Sequence, residues 1–100
     1  MVKHIVMWNF IPELSEEEKK EAYLKMKTLL EPIKDMTFGV LDIQVIMNEI
    51  KSSNRDVMLV ATYENEKALK AYQVHPAHVE AGKYVRAVTC NRSCLDYEVK

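Results

Sequence analysis

The stretch Val2-Lys-His-Ile-Val-Met-Trp-Asn-Phe10 decides the fold, because it has the composition of a β-strand and carries apolar side chains on both of its faces. One face carries His4, Val6, Trp8 and Phe10, and the other carries Ile5 and Met7. The run Asp56–Tyr63 repeats this two-sided pattern. A sheet with one face in water alternates more cleanly between apolar and polar residues. The sequence therefore predicts a sheet that is covered on both faces.

The rest of the sequence predicts two further strands and a long helix in addition to these two strands. The strands are Val40–Met47 and Val85–Tyr97. The segment Ser15-Glu-Glu-Glu18 is a capping box, in which the serine hydroxyl and the last glutamate satisfy each other's backbone amides, and it predicts the start of the helix. Pro32 disfavours helical backbone at the residue before it, so we expect the helix to end or kink there.

The second helical region is broken by a proline. Asn65 is a good N-cap for a short helix through Tyr72, and Pro76 suits the first position of a further helical turn that ends near Gly82. The resulting order over residues 1–100 is β-α-β-β-α-β in one domain. It predicts an α+β fold with a four-stranded antiparallel sheet and the helices on one face.

The second face of this sheet has no helix to cover it. An apolar sheet face of this kind needs a partner, and a second copy of the chain is the simplest one. We therefore expect a homodimer in which two sheets close face to face into a barrel-like assembly.

Composition excludes several classes of protein. The chain has 100 residues, of which 48% are hydrophobic and 29% charged, with a net charge of -1. It has no cationic field for nucleic acid or an anionic membrane, and no apolar run near the roughly 18 residues of a membrane span. RNA-recognition modules of the same element order need a basic, aromatic-rich third-strand motif, which Asp56–Tyr63 lacks. We expect no signal peptide before the first strand.

Cys90 and Cys94 lie four residues apart in the last predicted strand, where they would be about 13 Å apart. A disulfide needs Cα atoms within about 7 Å, so the two cannot bridge each other. We expect buried free thiols on one face of the strand, and hence a reducing cytoplasm as the compartment.

The segment Tyr72-Gln-Val-His75-Pro76-Ala-His78 is the strongest candidate for a site, because it holds two of the three histidines and a tyrosine. Imidazole and phenol suit proton transfer near neutral pH. The third histidine, His4, lies on the strand face assigned to the helices. We therefore expect His4, Tyr72 and His78 to converge in a pocket between sheet and helices, which is also lined by Trp8, Tyr23, Met26 and Leu59.

Each of these residues has a proposed role and a structural alternative. A neutral His78 would remove a proton next to a carbonyl, Tyr72 would donate to the enolate oxygen, and His4 would hold a second carbonyl. The alternatives are a helix-face tyrosine bonded to the backbone and a histidine at the edge of the core. His75 is expected to cap the turn that follows it, and it is a further candidate for substrate binding.

Metal binding is the less favoured interpretation of the histidines. His75, His78 and His4 would supply three imidazoles, as in some catalytic zinc sites. The break at Pro76 disrupts the helical spacing that a pair three residues apart needs, and no acidic residue lies close in sequence to orient the rings. We expect neither a metal nor another cofactor.

The chain resembles the stress-responsive dimeric α/β-barrel domain family. The resemblance rests on Val2-Lys-His-Ile-Val-Met-Trp8, on Tyr72-Gln-Val-His-Pro-Ala-His-Val79 and on Leu95-Asp-Tyr-Glu98. It implies a ferredoxin-like fold and a homodimer joined through the sheets. A plant member of the family is a cofactor-free polyketide cyclase whose proton-moving residues correspond to His78, Tyr72 and His4. Its pocket tyrosine on the first helix has no match, because Met26 occupies that region.

Three functions follow as hypotheses. The first is a cofactor-independent cyclase or isomerase that acts on a small carbonyl compound. The second is a non-catalytic, stress-related domain that binds a small ligand or a partner. The third is a monooxygenase-like barrel enzyme. A continuous cavity reaching His4, Tyr72 and His78 would favour the first hypothesis, and a filled core would favour the second.

Overall fold

The computed structural model describes Met1–Lys100, and its elements follow the predicted order with the second helical region divided in two. The strands are β1 (Val2–Phe10), β2 (Val40–Met47), β3 (Val57–Tyr63) and β4 (Thr89–Glu98), and the helices are α1 (Glu16–Leu30), α2 (Glu66–Val74) and α3 (Pro76–Val88). The sheet is antiparallel throughout, in the order β2-β3-β1-β4. This is the predicted ferredoxin-like fold. None of the helices combines the length and the apolar character needed to cross a membrane.

Local sequence signals account for the helix ends. The capping box at α1 is present, with the Glu18 amide donating to the Ser15 hydroxyl at 3.1 Å and the Ser15 amide donating to the Glu18 carboxylate at 2.9 Å. The α-helix stops at Leu30, and Pro32 lies in a single 3₁₀ segment that follows, as predicted. The side chain of Asn65 caps α2 by accepting from the Ala68 amide at 2.9 Å.

The helices pack on the sheet face that carries His4. Alternate residues of β1 are buried there, and they join the apolar residues of α1, β2 and β3 in one core of 20 residues. The largest fully buried side chains are Tyr63, Tyr72, Met26, Ile33, Val45 and Val57. Strand β1 is central, with β3 on one side and β4 on the other, so its inward residues lie under the helices.

The opposite face of the sheet is apolar and uncovered. Ile5 lies at its centre, directly opposite Val60 on β3 and Leu95 on β4. Leu95 is 63% exposed, and Met7 and Ile46 on the same face are also exposed. The two-sided strand pattern therefore corresponds to two apolar faces, one of which forms the core while the other is an apolar surface.

One predicted boundary was wrong. The helical turn at Pro76 does not end near Gly82 but continues to Val88, so the first four residues of the predicted strand Val85–Tyr97 are helical. Ala81 and Val85, four residues apart, form the buried face of α3. A single glycine inside a helix costs only about 1 kcal/mol, which this burial outweighs.

The cysteines are free, as expected, but they are neither buried nor on one face. Cys90 is half-buried and Cys94 is exposed, because β4 is an edge strand that the helices leave uncovered. The register places Cys94 opposite Val6 and Cys90 opposite Asn9, which lie on opposite faces of β1. The cause is a β-bulge in this pairing, which adds one residue to β4 and reverses the alternation of its side chains.

Gly39 makes the turn into β2 possible. Its φ of +85° is a backbone conformation that side chains disfavour, and a Cβ there would lie 2.7 Å from the Ala68 Cβ on α2. Both effects oppose any larger residue, because positive φ costs about 1–2 kcal/mol and overpacking about 1–3 kcal/mol.

We expect Gly39→Ala to lower the free energy of unfolding by at least about 2 kcal/mol, measured by urea denaturation at fixed protein concentration. Gly82→Ala is the matched control, since a Cβ there meets only the flexible end of Arg86. It should leave the free energy of unfolding unchanged or raise it by up to about 1 kcal/mol. Equal stability of Gly39→Ala and the wild type would contradict this account of the turn.

Candidate active site

The junction between α2 and α3 brings Tyr72 and His78 together. His75 is extended, as expected for a residue before proline, and it ends one helix and caps the next. Its backbone amide donates to the Tyr72 carbonyl at 3.2 Å, and its Nδ1 accepts from the Ala77 amide at 3.1 Å. The capping role expected of His75 is therefore present. The chain turns at this point, so the end of α2 and the start of α3 face the same space.

Three aromatic rings meet at this junction over the sheet. The ring centroids of Tyr72 and His78 are 4.5 Å apart, and those of Tyr72 and His4 are 6.4 Å apart. Tyr63 of β3 lies behind them, 5.3 Å from Tyr72 and 6.2 Å from His4. The structure thus joins the histidine of the first strand to the tyrosine and histidine that lie about seventy residues later.

His78 has the hydrogen-bond pattern of a neutral general base. Its Nδ1 lies 3.1 Å from the backbone carbonyl of Gln73, and because a carbonyl only accepts, Nδ1 must carry the proton. In the neutral ring, Nε2 then holds a free lone pair. Burial lowers the pKa of His78, and the nearby charges of His4, Arg86 and Arg92 lower it further, although the Gln73 carbonyl opposes this. Both effects favour the neutral ring at pH 7.

Tyr72 is suited to donate a proton in a hydrogen bond and not to act as a base. Its side chain is almost completely buried, and burial raises its pKa to about 12, although the Tyr63 hydroxyl opposes this. The Tyr63 hydroxyl is itself fully buried, makes no hydrogen bond of ordinary geometry and has a strongly raised pKa because of burial. Both phenols therefore remain protonated at neutral pH.

His4 is held by a residue of β4. Its Nδ1 donates to a carboxylate oxygen of Asp96, its cross-strand neighbour, and leaves Nε2 without a partner in the chain. His4 is 4% exposed, so the carboxylate satisfies a buried imidazole and fixes the orientation of its ring. The Sγ of Cys94 lies close by, 3.8 Å from the same nitrogen, and partial removal of this thiol from water raises its pKa.

His4, Tyr72 and His78 line a cavity of about 300 Å³ between the three helices and strands β1, β3 and β4. At about 30 Å³ for each molecule of liquid water, its volume equals roughly ten waters, which suits a compound with one ring or a short chain. Its apolar walls are Val6, Trp8, Leu30, Leu59 and Val85, and its polar groups are His4, Tyr72, His78, Arg86 and Arg92. A small apolar cavity with a few converging polar groups is the usual form of a ligand site.

Five of the eight residues predicted for the site line this cavity, namely His4, Tyr72, His78, Trp8 and Leu59. The other three lie elsewhere. Met26 is fully buried in the core, and His75 caps α3 outside the cavity wall. Tyr23 lines a larger and more open groove of about 670 Å³ beside β2, which contains none of the histidines.

Three polar residues of this site were not predicted from the sequence. They are Asp96, Arg92 and Arg86, and the first two belong to the edge strand β4. In the sequence, Asp96 belongs only to the segment that carries the family resemblance, and nothing there pairs it with His4. The absence of an acidic residue near the histidines in sequence therefore did not mean its absence in space.

The side chains that could hold a metal differ from the three histidines considered from the sequence. His4, Cys94 and Asp96 place one nitrogen, one sulfur and one oxygen atom within 4.8 Å of one another. A metal ion there would have to replace the hydrogen bond between His4 and Asp96. His75 cannot join His4 and His78 in a shared site without giving up its cap on α3.

The fold and the cavity define a ferredoxin-like α+β protein with histidine and tyrosine side chains gathered under its helices. The family model described as Stress Responsive A/B Barrel Domain matches residues 2–99. The chain belongs to this family.

Known proteins of the same fold include an enzyme and a dimer. Olivetolic acid cyclase of Cannabis sativa is 25% identical over 99 residues, covering 96% of this chain and 94% of that protein. A dimeric protein of unknown function and ferredoxin-like fold from Bacteroides fragilis is 30% identical, with a TM-score of 0.90 over 98% of this chain and 95% of that one. An antibiotic biosynthesis monooxygenase has a TM-score of 0.77 at 10% identity, covering 100% of this chain and 99% of that one, and shows the fold alone.

We expect the titration midpoint of His78, followed by NMR, to lie below 6.5, its ordinary pKa. Because the unfolded chain then binds this proton more readily than the folded one, His78 should make the fold less stable as the pH falls below 6.5. Above 6.5 its contribution to stability should be constant. His78→Gln identifies the resonance and should remove this part of the pH dependence. A titration midpoint above 6.5 would contradict the interpretation of His78 as a neutral base.

Proposed function

We propose that the protein is a cofactor-independent enzyme that acts on a small carbonyl compound by acid–base chemistry, as a cyclase or isomerase. The main support for the proposal is the cavity, in which the ring centroids of a neutral His78 and a protonated Tyr72 lie 4.5 Å apart. A non-catalytic binding domain would not need one group poised as a base beside another poised as a donor. The similarity to a plant cyclase supports the same chemical class.

The reaction would proceed by enolisation. Nε2 of His78 takes a proton from carbon next to a carbonyl, and the Tyr72 hydroxyl donates a hydrogen bond to the enolate oxygen that forms. In a cyclase, the enolate carbon then bonds to a second carbonyl carbon of the same molecule, and the imidazolium returns its proton to the new alkoxide. His4, fixed by Asp96, would donate from Nε2 to the second carbonyl, which requires its ring to carry a proton on both nitrogens. In an isomerase, the proton returns to a different carbon.

The enolisation step is testable without knowing the natural substrate. We expect the protein to accelerate exchange of the α-protons of 4-phenylbutan-2-one for deuterium in D₂O, followed by NMR. His78→Gln should slow this exchange by about 10²–10⁴-fold, and Tyr72→Phe should slow it while leaving the His78 ring neutral. Glu80→Gln, a change at an exposed position of the same helix, should retain the wild-type rate.

Exchange in the wild type that is no faster than in His78→Gln would contradict the enzyme and favour a binding domain. Oxygen uptake with a hydroquinone that depends on His78, without proton exchange, would favour the monooxygenase-like alternative instead.

We also propose that the protein works as a homodimer joined through its open sheet face, in a reducing cytoplasm. The uncovered apolar residues around Ile5 support the dimer, because monomers rarely expose a continuous apolar surface of this kind. The relative from Bacteroides fragilis, which is dimeric, supports it as well. The two free cysteines support the compartment.

We expect the wild type to sediment as a dimer at micromolar concentration and Ile5→Glu to sediment as a monomer, because the substitution places a charge at the centre of the proposed interface. Val74→Glu is the matched control, since Val74 is 75% exposed and lies on α2, away from the sheet. It should remain dimeric. A monomeric wild type would contradict the dimer without bearing on the chemistry.

A further inference from the structure

We infer that the substrate carries a carboxylate, and that Arg86 and Arg92 bind it at the mouth of the cavity. This inference rests on the proposed function, since it names the class of carbonyl compound that the site takes. It arises from two guanidinium groups, one at the end of α3 and one on β4, that line the same cavity as His78.

Neither arginine has an anionic partner in the chain. The ion pairs of the protein involve other residues, and no carboxylate lines the cavity. Asp96, on the same strand as Arg92, is already engaged by His4. Two cations that converge on a cavity without a counter-charge repel each other, and a bound anion relieves that repulsion.

The position of Arg86 depends on Gly82. A Cβ at Gly82 would lie 3.0 Å from a terminal nitrogen of Arg86, so the guanidinium group lies directly over the glycine one turn earlier in α3. Both arginines line the same cavity as His78, and their charges lower its pKa. The cationic groups and the base therefore face one ligand.

The geometry favours a carboxylate at the rim and the rest of the molecule inside. Both arginines are exposed, so an anion there keeps part of its hydration and avoids the cost of burying a charge. Guanidinium groups match the planar geometry of a carboxylate with paired hydrogen bonds. The inner wall from Trp8 to Leu59 is apolar, and it suits the hydrocarbon part of a keto acid.

Binding of a matched pair of probes tests the inference separately from catalysis. The probes are 4-oxo-4-phenylbutanoate and its methyl ester, which differ in the charge of one group. We expect the acid to bind more tightly than the ester, measured by calorimetry and by the NMR shift of His78. Arg86→Gln and Arg92→Gln should each weaken binding of the acid by about tenfold and leave binding of the ester unchanged.

Lys83→Gln is the matched control, because it removes one positive charge from the same helix at an exposed position where Lys83 pairs with Glu80. It should leave binding of the acid unchanged. A similar loss with Lys83→Gln would assign the effect to overall charge and overturn the inference. Equal binding of acid and ester, or binding of the acid that neither arginine variant weakens, would also overturn it.

Failure of this inference and failure of the proposed function give different results. If proton exchange depends on His78 while acid and ester bind equally well, the result supports the proposed enzyme and contradicts the carboxylate site. If the acid binds through the arginines but no proton exchange occurs, the result supports the carboxylate site and contradicts the proposed enzyme. The protein would then bind keto acids without turning them over. A third titration, with inorganic phosphate, should not shift the His78 resonance. If phosphate shifts the His78 resonance more than the keto acid does, the inference that the site binds a carboxylate is wrong.

Discussion

The break in the helical path at His75 and Pro76 is the constraint on which the site depends. In one continuous helix from Glu66 to Val88, Tyr72 and His78 would be six residues apart, pointing in directions about 120° apart around its axis. The extended residue before the proline ends α2, and the same residue caps α3. The two side chains then face each other across the junction, and the bond from His78 to the Gln73 carbonyl joins the two helices.

The edge strand β4 gives the cavity its polar rim. The helices cover the inward face of β1 to β3 but leave β4 open, so its inward residues remain partly in water. This explains why charged residues line the mouth while apolar residues line the interior. The opposite face of the same sheet is apolar and carries no part of the site. The proposed chemistry and the proposed dimer interface therefore occupy different faces of one sheet.

The sequence predicted those features that short-range chemistry determines. Ser15, Pro32 and Asn65 act through neighbours within a few residues, and each produces the expected helix end. The proximity of His4 to Tyr72 and His78 could also be predicted from the sequence. It depends only on the order of the elements and on which face of β1 carries His4. Asp96 and Arg92 were missed because their positions depend on the register of β4, in which a bulge reverses the alternation of side chains.

A single physical cause, burial in the cavity, gives the two central groups the protonation states that acid–base chemistry requires. Removal from water disfavours whichever form of a side chain is charged. For His78 the charged form is the protonated one, so burial lowers its pKa and leaves a base. For Tyr72 the charged form is the deprotonated one, so burial raises its pKa to about 12 and leaves a donor. The same apolar walls therefore move the two pKa values in opposite directions, which supports the proposed division into base and donor.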